Sequence, residues 1–255
     1  MNNITHKTIW IVGSSTGMGR ALALRLAEAG NFVIVSARSA DKLDDVVKQH
    51  PKNMVALPVD MNHADDPTVL QEQLAQITDV IDILVMAQGT VEYENDMTFD
   101  AALYRRVFET NFFSFVNTLA VAKPFLEASE QRAYIVGLSS MSMMIGFSRA
   151  EAYGASKAAI DYFLHSLVVD LPQRKFDVSI VRPGFVATPM TSVNDFPMPF
   201  LMSAEQAADR IIKGMEKRRR LIIFPRRLYS ILTVFSWLSC LWYRYLGPKT
   251  SRYDL

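Results

Sequence analysis

A glycine-rich turn directly after a short apolar run is the feature that most constrains the fold of this chain. The run Ile9–Val12 is followed at 13–19 by Gly-Ser-Ser-Thr-Gly-Met-Gly and then by a segment of helical character. Glycine lets the backbone approach a ligand closely, and the N–H groups at a helix N-terminus favour anions. The sequence therefore predicts a strand, a phosphate-binding turn and a helix, in that order.

Apolar runs and helical segments alternate along about the first 225 residues. The predicted strands are Ile9–Val12, Phe32–Val35, Met54–Leu57, Ile81–Val85, Tyr134–Leu138, Val178–Val181 and Leu221–Phe224. The predicted helices are 17–29, a segment capped by Ser39 that reaches about 49, one that begins at Pro67, 99–128 as one long helix or a bent pair, 152–171, and one opened by a capping box at 203–206. This alternation is typical of a Rossmann-like, doubly wound parallel α/β sheet of about seven strands, with helices on both faces.

Composition narrows the class of protein further. The chain has 255 residues, of which half are hydrophobic, and a formal net charge of +1, which argues against a nucleic-acid partner. Its single cysteine, Cys240, excludes an intrachain disulfide and fits a reducing compartment. The N-terminal residues lack the apolar core of a signal peptide, so we expect a cytoplasmic protein, and we expect no metal site.

A second pattern lies in the second half of the chain. Tyr153 and Lys157 are four residues apart, which places both on one face of a helix. The ammonium can then favour the ionised phenol, which otherwise has a pKa near 10 and is a poor acid–base group at neutral pH. The adjacent Ser139 and Ser140 precede Tyr153 in the chain, and a serine hydroxyl can hold and polarise a carbonyl oxygen.

Together the two patterns resemble the short-chain dehydrogenase/reductase family, whose fingerprint is GxxxGxG followed by Ser and YxxxK. The resemblance covers about residues 5–225 and implies that a nicotinamide dinucleotide and the substrate meet above the carboxyl ends of the strands. The catalytic residues that it implies are Asn111, Ser140, Tyr153 and Lys157. The cofactor-binding residues that it implies are Gly13, Ser15, Thr16, Gly17, Met18, Gly19, Arg38, Asp60, Met61, Gly89, Tyr153, Lys157, Pro183, Gly184, Val186 and Thr188.

The end of the second strand indicates which dinucleotide binds. No acidic residue follows that strand, and Arg38 offers a guanidinium suited to a 2′-phosphate, so NADP(H) is favoured over NAD(H). Asp60 corresponds to the family residue that contacts the adenine amino group. The chain departs from the family at Val12, at Thr16, and most of all at 86–88, where Met-Ala-Gln replaces Asn-Asn-Ala.

Apolar residues are concentrated where the family binds its substrate. The expected lid, about 188–203, is rich in methionine and phenylalanine, and Met141, Met143, Met144 and Phe147 follow the catalytic serine. Methionine surfaces adapt to irregular apolar ligands, so we expect a small lipophilic carbonyl or alcohol. The alternative is that these residues pack only on each other or on a neighbouring subunit.

We expect two parts, a catalytic domain over 1–227 and an apolar, aromatic and basic tail over 228–255. Basic residues precede the tail between Lys213 and Arg227, and the span 228–246 is almost wholly apolar. A peripheral, interfacial helix at the cytoplasmic membrane face is our first expectation, and a subunit contact, a cover over the pocket and a membrane span are the alternatives. The resemblance also implies a homo-oligomer, a dimer or a tetramer.

The sequence thus favours an NADP(H)-dependent oxidoreductase that interconverts a carbonyl and an alcohol, with Tyr153 as general acid and base. The rival hypothesis is a non-catalytic NADP(H)-binding sensor or membrane scaffold. The altered segment 86–88 is the rival's only support, whereas the intact Asn111, Ser140, Tyr153 and Lys157 set favours the enzyme.

Overall fold

The computed structural model describes residues 4–64, 66–95 and 97–251. Its strands are β1 Thr8–Val12, β2 Phe32–Ser36, β3 Met54–Ala56, β4 Ile83–Met86, β5 Ala133–Leu138, β6 Phe176–Pro183, β7 Val186–Ala187, β8 Met202–Ser203 and β9 Leu221–Phe224. Its helices are α1 Gly17–Glu28, α2 Ala40–Val47, α3 Pro67–Ala75, α4 Ala101–Phe108, α5 Ser114–Glu127, α6 Glu151–Asp170, α7 Ala204–Glu216, α8 Arg226–Trp237 and α9 Ser239–Leu241. Every predicted strand is present within one or two residues of its predicted start.

Seven of the strands form one parallel sheet in the order β3-β2-β1-β4-β5-β6-β9, which confirms the doubly wound prediction. Strand β1 pairs with β2 on one side and with β4 on the other, so the strand order reverses at this point. In open α/β sheets, ligands bind at such a switch point, beyond the carboxyl ends of the strands. That edge carries the glycine turn after Val12 and the altered segment that begins at Met86.

The side chains of β1 show why the sheet is buried on both faces. Ile9 and Ile11 pack into the layer formed with α1 and α7, whereas Trp10 and Val12 pack into the opposite layer with α3 and α5. All four are at most 2 % exposed. A run that is apolar at every position is what a parallel strand covered on both faces requires.

The predicted helical segment 99–128 is a bent pair. A π-helical turn, Glu109–Phe113, separates α4 from α5, and it places the fully buried Asn111 between the two helices. Single π-turns inside helices frequently occur at functional sites.

Of the two predicted helix caps, one has the predicted hydrogen bonds and the other does not. Ser203 and Gln206 form the capping box of α7, whereas Ser39 is the N-cap residue of α2 but makes no side-chain hydrogen bond.

The prediction of one continuous helix over 228–246 is wrong. Helix α8 ends at Trp237, the chain turns at Leu238, and a π-helical segment, Trp242–Leu246, follows the short α9. The ring of Trp242 packs 5.2 Å from that of Phe235 and 5.9 Å from that of Phe147, while its indole N–H donates to Gly146 O at 3.0 Å. The tail therefore folds back on the segment after Ser140. Among the residues that the structure describes, no helix has the length and apolar character of a membrane span.

The basic residues between Lys213 and Arg227, which precede the tail in the sequence, do not form one cluster in the structure. Residues 217–220 precede β9 at the amino edge of the sheet, whereas Arg226 and Arg227 follow β9 at the carboxyl edge and open α8. Arg218 pairs with Asp177 at 3.2 Å. Only Arg226 and Arg227 therefore lie beside the tail helix.

Candidate active site

The glycine turn sits at the switch point of the sheet. Gly13 N donates to Ser36 O at 2.8 Å, which ties the turn to the end of β2. A Cβ on Gly13, whose φ is +83°, would overlap the backbone of Gln88, and a Cβ on Gly19 would overlap the carbonyl of Gly13. Both positions therefore require glycine, and the turn is packed between β1, β2 and β4 as a dinucleotide-binding turn should be.

The N-terminus of α1 fits a pyrophosphate. Thr16 is the N-cap residue, yet its side chain makes no capping hydrogen bond, and the first turn holds no acidic residue. The backbone N–H groups of the first turn of α1 and the helix dipole are thus available to an anion. Ser15 and Met18 are partly buried and Thr16 is exposed on the same turn. The residues present therefore fit the phosphates of a dinucleotide.

The residues predicted for the adenosine end lie at the same edge of the sheet. Arg38 is exposed two residues beyond β2. Val59 N donates to Ala37 O at 3.0 Å, which brings Asp60 beside this segment. Asp60 accepts a hydrogen bond from Asn62 N at 3.1 Å, and Met61 is buried. Arg38 and Asp60 are therefore on neighbouring loops.

The predicted acid–base residues come together where β5 meets α6. Tyr153 and Lys157 lie on the first turns of α6, and Lys157 Nζ is 5.9 Å from the centroid of the Tyr153 ring. Ser140 follows β5 and makes a side-chain hydrogen bond with Tyr153. Ser139 instead donates to Lys157 O at 3.1 Å, so its hydroxyl is occupied by the fold and Ser140 faces the phenol.

Burial controls the protonation of this pair. It raises the pKa of Tyr153, and only the hydrogen bond with Ser140 acts in the opposite direction. Burial also lowers the pKa of Lys157 from 10.5 to about 8. The expectation that the ammonium lowers the pKa of Tyr153 is therefore not met in this structure. The phenol is protonated at neutral pH, as a proton donor must be.

Asn111 is held at the same centre by the π-turn. Its Oδ1 accepts from Thr90 N at 2.7 Å, and its Nδ2 donates to Thr90 O and to Ser156 Oγ at 3.0 and 2.9 Å. A Cβ added to Gly89 would lie 3.2 Å from Asn111 Oδ1 and 3.3 Å from Lys157 Nζ. Gly89 therefore leaves room where these two side chains meet, and the proton relay implied for Asn111 stays a prediction.

The segment after β6 closes the other side of the crevice. A Cβ added to Gly17 would lie 3.1 Å from the methyl group of Thr188, so the glycine turn and Thr188 face each other. Val186 is buried on β7, and Pro183 is the last residue of β6. Gly184 faces the tail and not the glycine turn, because a Cβ there would lie 2.8 Å from Leu228 of α8. Its absent side chain makes room for the tail.

Of three further residues near the site, Gln88 belongs to the segment 86–88 that the sequence singled out, whereas Tyr93 and Arg149 carried no signal. Gln88, at the altered position, donates to Thr118 Oγ1 at 2.9 Å and so ties the strand end to α5. The guanidinium of Arg149 lies 5.1 Å from the centroid of the Tyr93 ring. Burial and the nearby Tyr153 raise the pKa of Tyr93 to about 12, while Arg149 acts in the opposite direction. These contacts join residues far apart in the chain, so no local pattern marks them.

The chain has the architecture of a dinucleotide-binding protein of the Rossmann type. The parallel sheet, the glycine turn at its switch point and the tyrosine–lysine pair on α6 together define this class. Residues 7–196 match the family model described as short chain dehydrogenase. The chain belongs to this family of oxidoreductases, which act on small substrates.

Similar proteins are found over most of the chain. An uncharacterized oxidoreductase of Myxococcus xanthus is 30 % identical over 89 % of this chain and 91 % of its own length. A fatty acyl-CoA reductase of Acinetobacter baylyi is 28 % identical over 90 % of this chain and 80 % of its own. These relatives extend beyond residue 196, so most of the chain has counterparts in oxidoreductases.

Solved structures share the fold. A short-chain dehydrogenase/reductase of Burkholderia phymatum in complex with NAD has a TM-score of 0.84 at 18 % identity, covering 94 % of this chain and 96 % of that one. The RhlG/NADP complex of Pseudomonas aeruginosa has a TM-score of 0.79 at 22 % identity, covering 87 % and 96 %. One neighbour is complexed with NAD and the other with NADP, so the family binds a nicotinamide dinucleotide and the choice between the two is left to the residues of this chain.

Proposed function

We propose that this protein is an NADP(H)-dependent oxidoreductase that interconverts a lipophilic carbonyl compound and its alcohol. The observation that carries the proposal is the meeting of Tyr153, Ser140 and Lys157 beside the glycine turn. The phenol is hydrogen-bonded to Ser140 and lies one helical turn from the ammonium. This is the arrangement that carbonyl reduction requires, with a proton donor and a hydroxyl at one oxygen atom.

Each of these side chains has a defined task in the reduction. The dinucleotide, when bound, supplies a hydride to the carbonyl carbon. Ser140 holds the carbonyl oxygen, and Tyr153 gives its proton to that oxygen as negative charge develops there. Lys157 Nζ, which donates to Leu138 O at 3.2 Å, stands between the phenol and Gly89, where it can hold the ribose hydroxyls.

Arg38 supports NADP(H) as the dinucleotide. The guanidinium is exposed on the loop after β2, and the acidic residue that would accept from the ribose hydroxyls and repel a 2′-phosphate is missing from that loop. A charge-assisted contact of this kind typically contributes about 1.5–3 kcal/mol, roughly ten- to a hundredfold in affinity.

We expect the wild type to bind NADPH roughly ten- to a hundredfold more tightly than NADH, and we expect Arg38→Ala to abolish this preference. Fluorescence titration with both dinucleotides measures it, and Lys42→Ala, on the exposed face of α2, is the matched control for loss of a positive charge. Equal affinities in the wild type, or an unchanged ratio in Arg38→Ala, would refute the assignment.

Apolar side chains around the crevice support a lipophilic substrate. Met190 lies beside Gly89, its methyl carbon being 3.8 Å from where a Cβ would stand, and Phe196 packs edge-on against Tyr93. Met141, Met144 and Phe147 pack against α8 and Trp242, so for these three the alternative of packing within the protein holds. The relative named fatty acyl-CoA reductase is in keeping with an apolar chain.

Replacing the proton donor tests the mechanism. We expect Tyr153→Phe to lose carbonyl reduction, at least a hundredfold, while binding of NADPH is nearly intact, because only the hydroxyl is removed. Lys157→Ala should weaken both, because Lys157 serves the phenol and the ribose. NADPH consumption with a panel of apolar aldehydes and ketones, beside NADPH titration, separates the two effects. Reduction that persists in Tyr153→Phe would rule out the proposed role.

The rival proposal is a non-catalytic NADP(H)-binding protein. Its support is segment 86–88, in which Gln88 Oε1 is buried without a hydrogen-bond partner among the described residues. Binding of NADPH with no turnover of any carbonyl compound in the panel would favour it.

The outer face of the tail supports a peripheral contact with a lipid surface. The side chains of Ile231, Val234, Trp237, Leu238 and Leu241 are 43–81 % exposed along α8 and α9. Arg226 and Arg227 open the same helix. Aromatic and basic residues beside an apolar stripe are typical of interfacial helices.

A different face supports a homo-oligomer. Phe113 at the end of the π-helical turn, Val116 in α5, and Tyr162 and Val169 on α6 are 37–81 % exposed. Phe112 of the π-helical turn contacts Phe163 of α6. An exposed apolar face shared by two helices is typical of subunit contacts. Sedimentation velocity measures the assembly, and a monomer at all micromolar concentrations would contradict it.

A further inference from the structure

The loop of residues 141–149, here the serine loop, joins Ser140 to the helix that carries Tyr153. It begins with a 3₁₀ turn over 141–143, of which Ser140 is the N-cap residue, and Ser140 Oγ accepts from Ser142 N at 3.1 Å. Over 145–149, Gly146 is the one residue whose backbone N–H has a hydrogen-bond partner within the described part of the chain. The conformation of the serine loop therefore depends on the element that packs against it.

That element is the C-terminal tail, which bonds to both backbone groups of Gly146. Gly146 N donates to Tyr243 Oη at 3.0 Å, and Gly146 O accepts from Trp242 Nε1 at 3.0 Å. A Cβ on Gly146 would lie 3.3 Å from Tyr243 Cε1, so glycine lets the phenol ring approach the loop closely. Two consecutive residues of the tail thus fix one residue of the serine loop from opposite sides.

Apolar contacts continue from Gly146 to the turn beside the catalytic serine. A Cβ on Gly184 would lie 2.8 Å from Leu228 Cδ2 and 3.7 Å from Met141 Sδ, so helix α8 and the turn meet at this point. Met141, the residue after Ser140, is only 2 % exposed. The loop and the tail share one buried cluster, formed by Met141, Ile145, Leu228, Leu232 and Trp242. The tail therefore packs on the serine loop at its first residue as well as at Gly146.

The position of this turn determines where the Ser140 hydroxyl points. Ser140 is bonded to Ser142 N within the turn and to the phenol of Tyr153 on α6. Hydrogen bonds weaken steeply when their geometry is distorted, and a displacement of about 1 Å in an active site can cost roughly a hundredfold in rate. A contact that fixes the turn can thus act on the reacting centre without touching it.

We propose that Trp242 and Tyr243 are positioning residues, which hold the Ser140 hydroxyl against the Tyr153 phenol by fixing the serine loop. The inference rests on the proposed function. It gives the inner face of the tail a part in carbonyl reduction, whereas the proposed lipid contact concerns the outer face.

Single-atom changes in the tail test the proposal. Tyr243→Phe removes only the hydroxyl that accepts from Gly146, and Trp242→Phe keeps an aromatic ring but loses the indole N–H. Tyr245→Phe is the matched control, because Tyr245 is 53 % exposed, Tyr243 is 57 % exposed, and the Tyr245 hydroxyl has no hydrogen-bond partner among the described residues. We expect kcat/KM for the best carbonyl compound to fall roughly two- to tenfold in Tyr243→Phe and in Trp242→Phe, and to stay unchanged in Tyr245→Phe.

Titration with NADPH distinguishes positioning from a loss of folded protein. The affinity for NADPH and the number of sites per chain should be unchanged in both variants, because the serine loop lies apart from the glycine turn. Activity that falls only in proportion to the number of NADPH sites would overturn the proposal. It would also be overturned if Tyr243→Phe were as active as Tyr245→Phe.

A double-mutant cycle with Ser140 tests whether the tail acts through the serine, and it needs no turnover. Calorimetry measures the affinity of a carbonyl compound for Tyr153→Phe loaded with NADPH, with Tyr243→Phe and Ser140→Ala added singly and together. We expect Tyr243→Phe to weaken binding severalfold when Ser140 is present and to have no effect in Ser140→Ala, whereas an unrelated structural effect would be the same in both.

The outcomes of the cycle separate this inference from the proposed function. If the coupling is present but the wild type reduces no carbonyl compound, the proposed function alone is overturned. If the wild type reduces the compound but Tyr243→Phe has the same effect with and without Ser140, or none in either case, the positioning role alone is overturned.

Discussion

Lys157 shows how a single residue at the centre of the site opposes the stability of the fold. It is 4 % exposed, and its burial lowers its pKa from 10.5 to about 8. The unfolded chain therefore binds one more proton than the folded protein between about pH 8 and 10.5, so this residue makes the folded state more stable as the pH rises through that range. Near pH 7 its desolvation costs about 3 kcal/mol.

We expect Lys157→Met to stabilise the nucleotide-free protein while removing activity. The gain near neutral pH should be about 2 kcal/mol, because the lost hydrogen bond to Leu138 O offsets about 1 kcal/mol of the relief. Urea unfolding at a series of pH values measures the difference from the wild type, which should shrink between about pH 8 and 10.5. A difference that does not depend on pH would show that Lys157 is not destabilised by its burial.

Local patterns were sufficient to predict some residues of the site but not others. The glycine turn and the Tyr153–Lys157 pair depend on spacings within a few residues, so the sequence alone located them. Arg149 donates hydrogen bonds to Asn95 and Asp195, which are 54 and 46 residues away along the chain, so no local pattern predicts these contacts. The pKa of Tyr153 depends on burial by distant segments, and its predicted direction was accordingly wrong.

At the scale of elements, the tail shows where periodicity is insufficient. Apolar residues run through 228–246 without a helix-breaking glycine or proline, so the sequence predicted one helix. The break at Leu238 lets Trp242 return to Phe235 and Phe147, and burial of this indole against the segment 141–147 outweighs helical continuity. Tertiary packing of this kind overrides local helix propensity.

Two tryptophans of the tail form a matched pair for testing its two faces. Trp242 is 7 % exposed and Trp237 is 81 % exposed. We expect Trp242→Ala to cost about 3 kcal/mol of tail packing, observed as faster proteolysis after residue 225 and a lower Tm. Trp237→Ala should leave both unchanged and weaken cosedimentation with anionic vesicles. Vesicle binding that is unaffected by Trp237→Ala would contradict the lipid contact.

The whole molecule combines a predictable framework with a less predictable surface. The sequence alone indicated the parallel sheet, its strands and the position of the crevice, because these follow from apolar periodicity and from the rules for connections between strands. The sequence alone did not show that the basic residues are divided. Strand β9 separates Lys217–Arg220 from Arg226–Arg227, so the two groups lie at opposite edges of the sheet. Salt-sensitive lipid binding should accordingly depend on Arg226 and Arg227, not on 217–220.

Transfer of a labelled hydride tests the central claim most directly. The protein is incubated with NADPH carrying deuterium on the reactive face of C4 and with the best carbonyl compound of the panel, and the alcohol is analysed by mass spectrometry. We predict one deuterium on the carbinol carbon with the wild type and, over the same time, at most about a hundredth as much labelled alcohol with Tyr153→Phe, although both bind NADPH. Binding of NADPH by the wild type without deuterium in any alcohol, for both deuterated faces and every compound tested, would contradict the account.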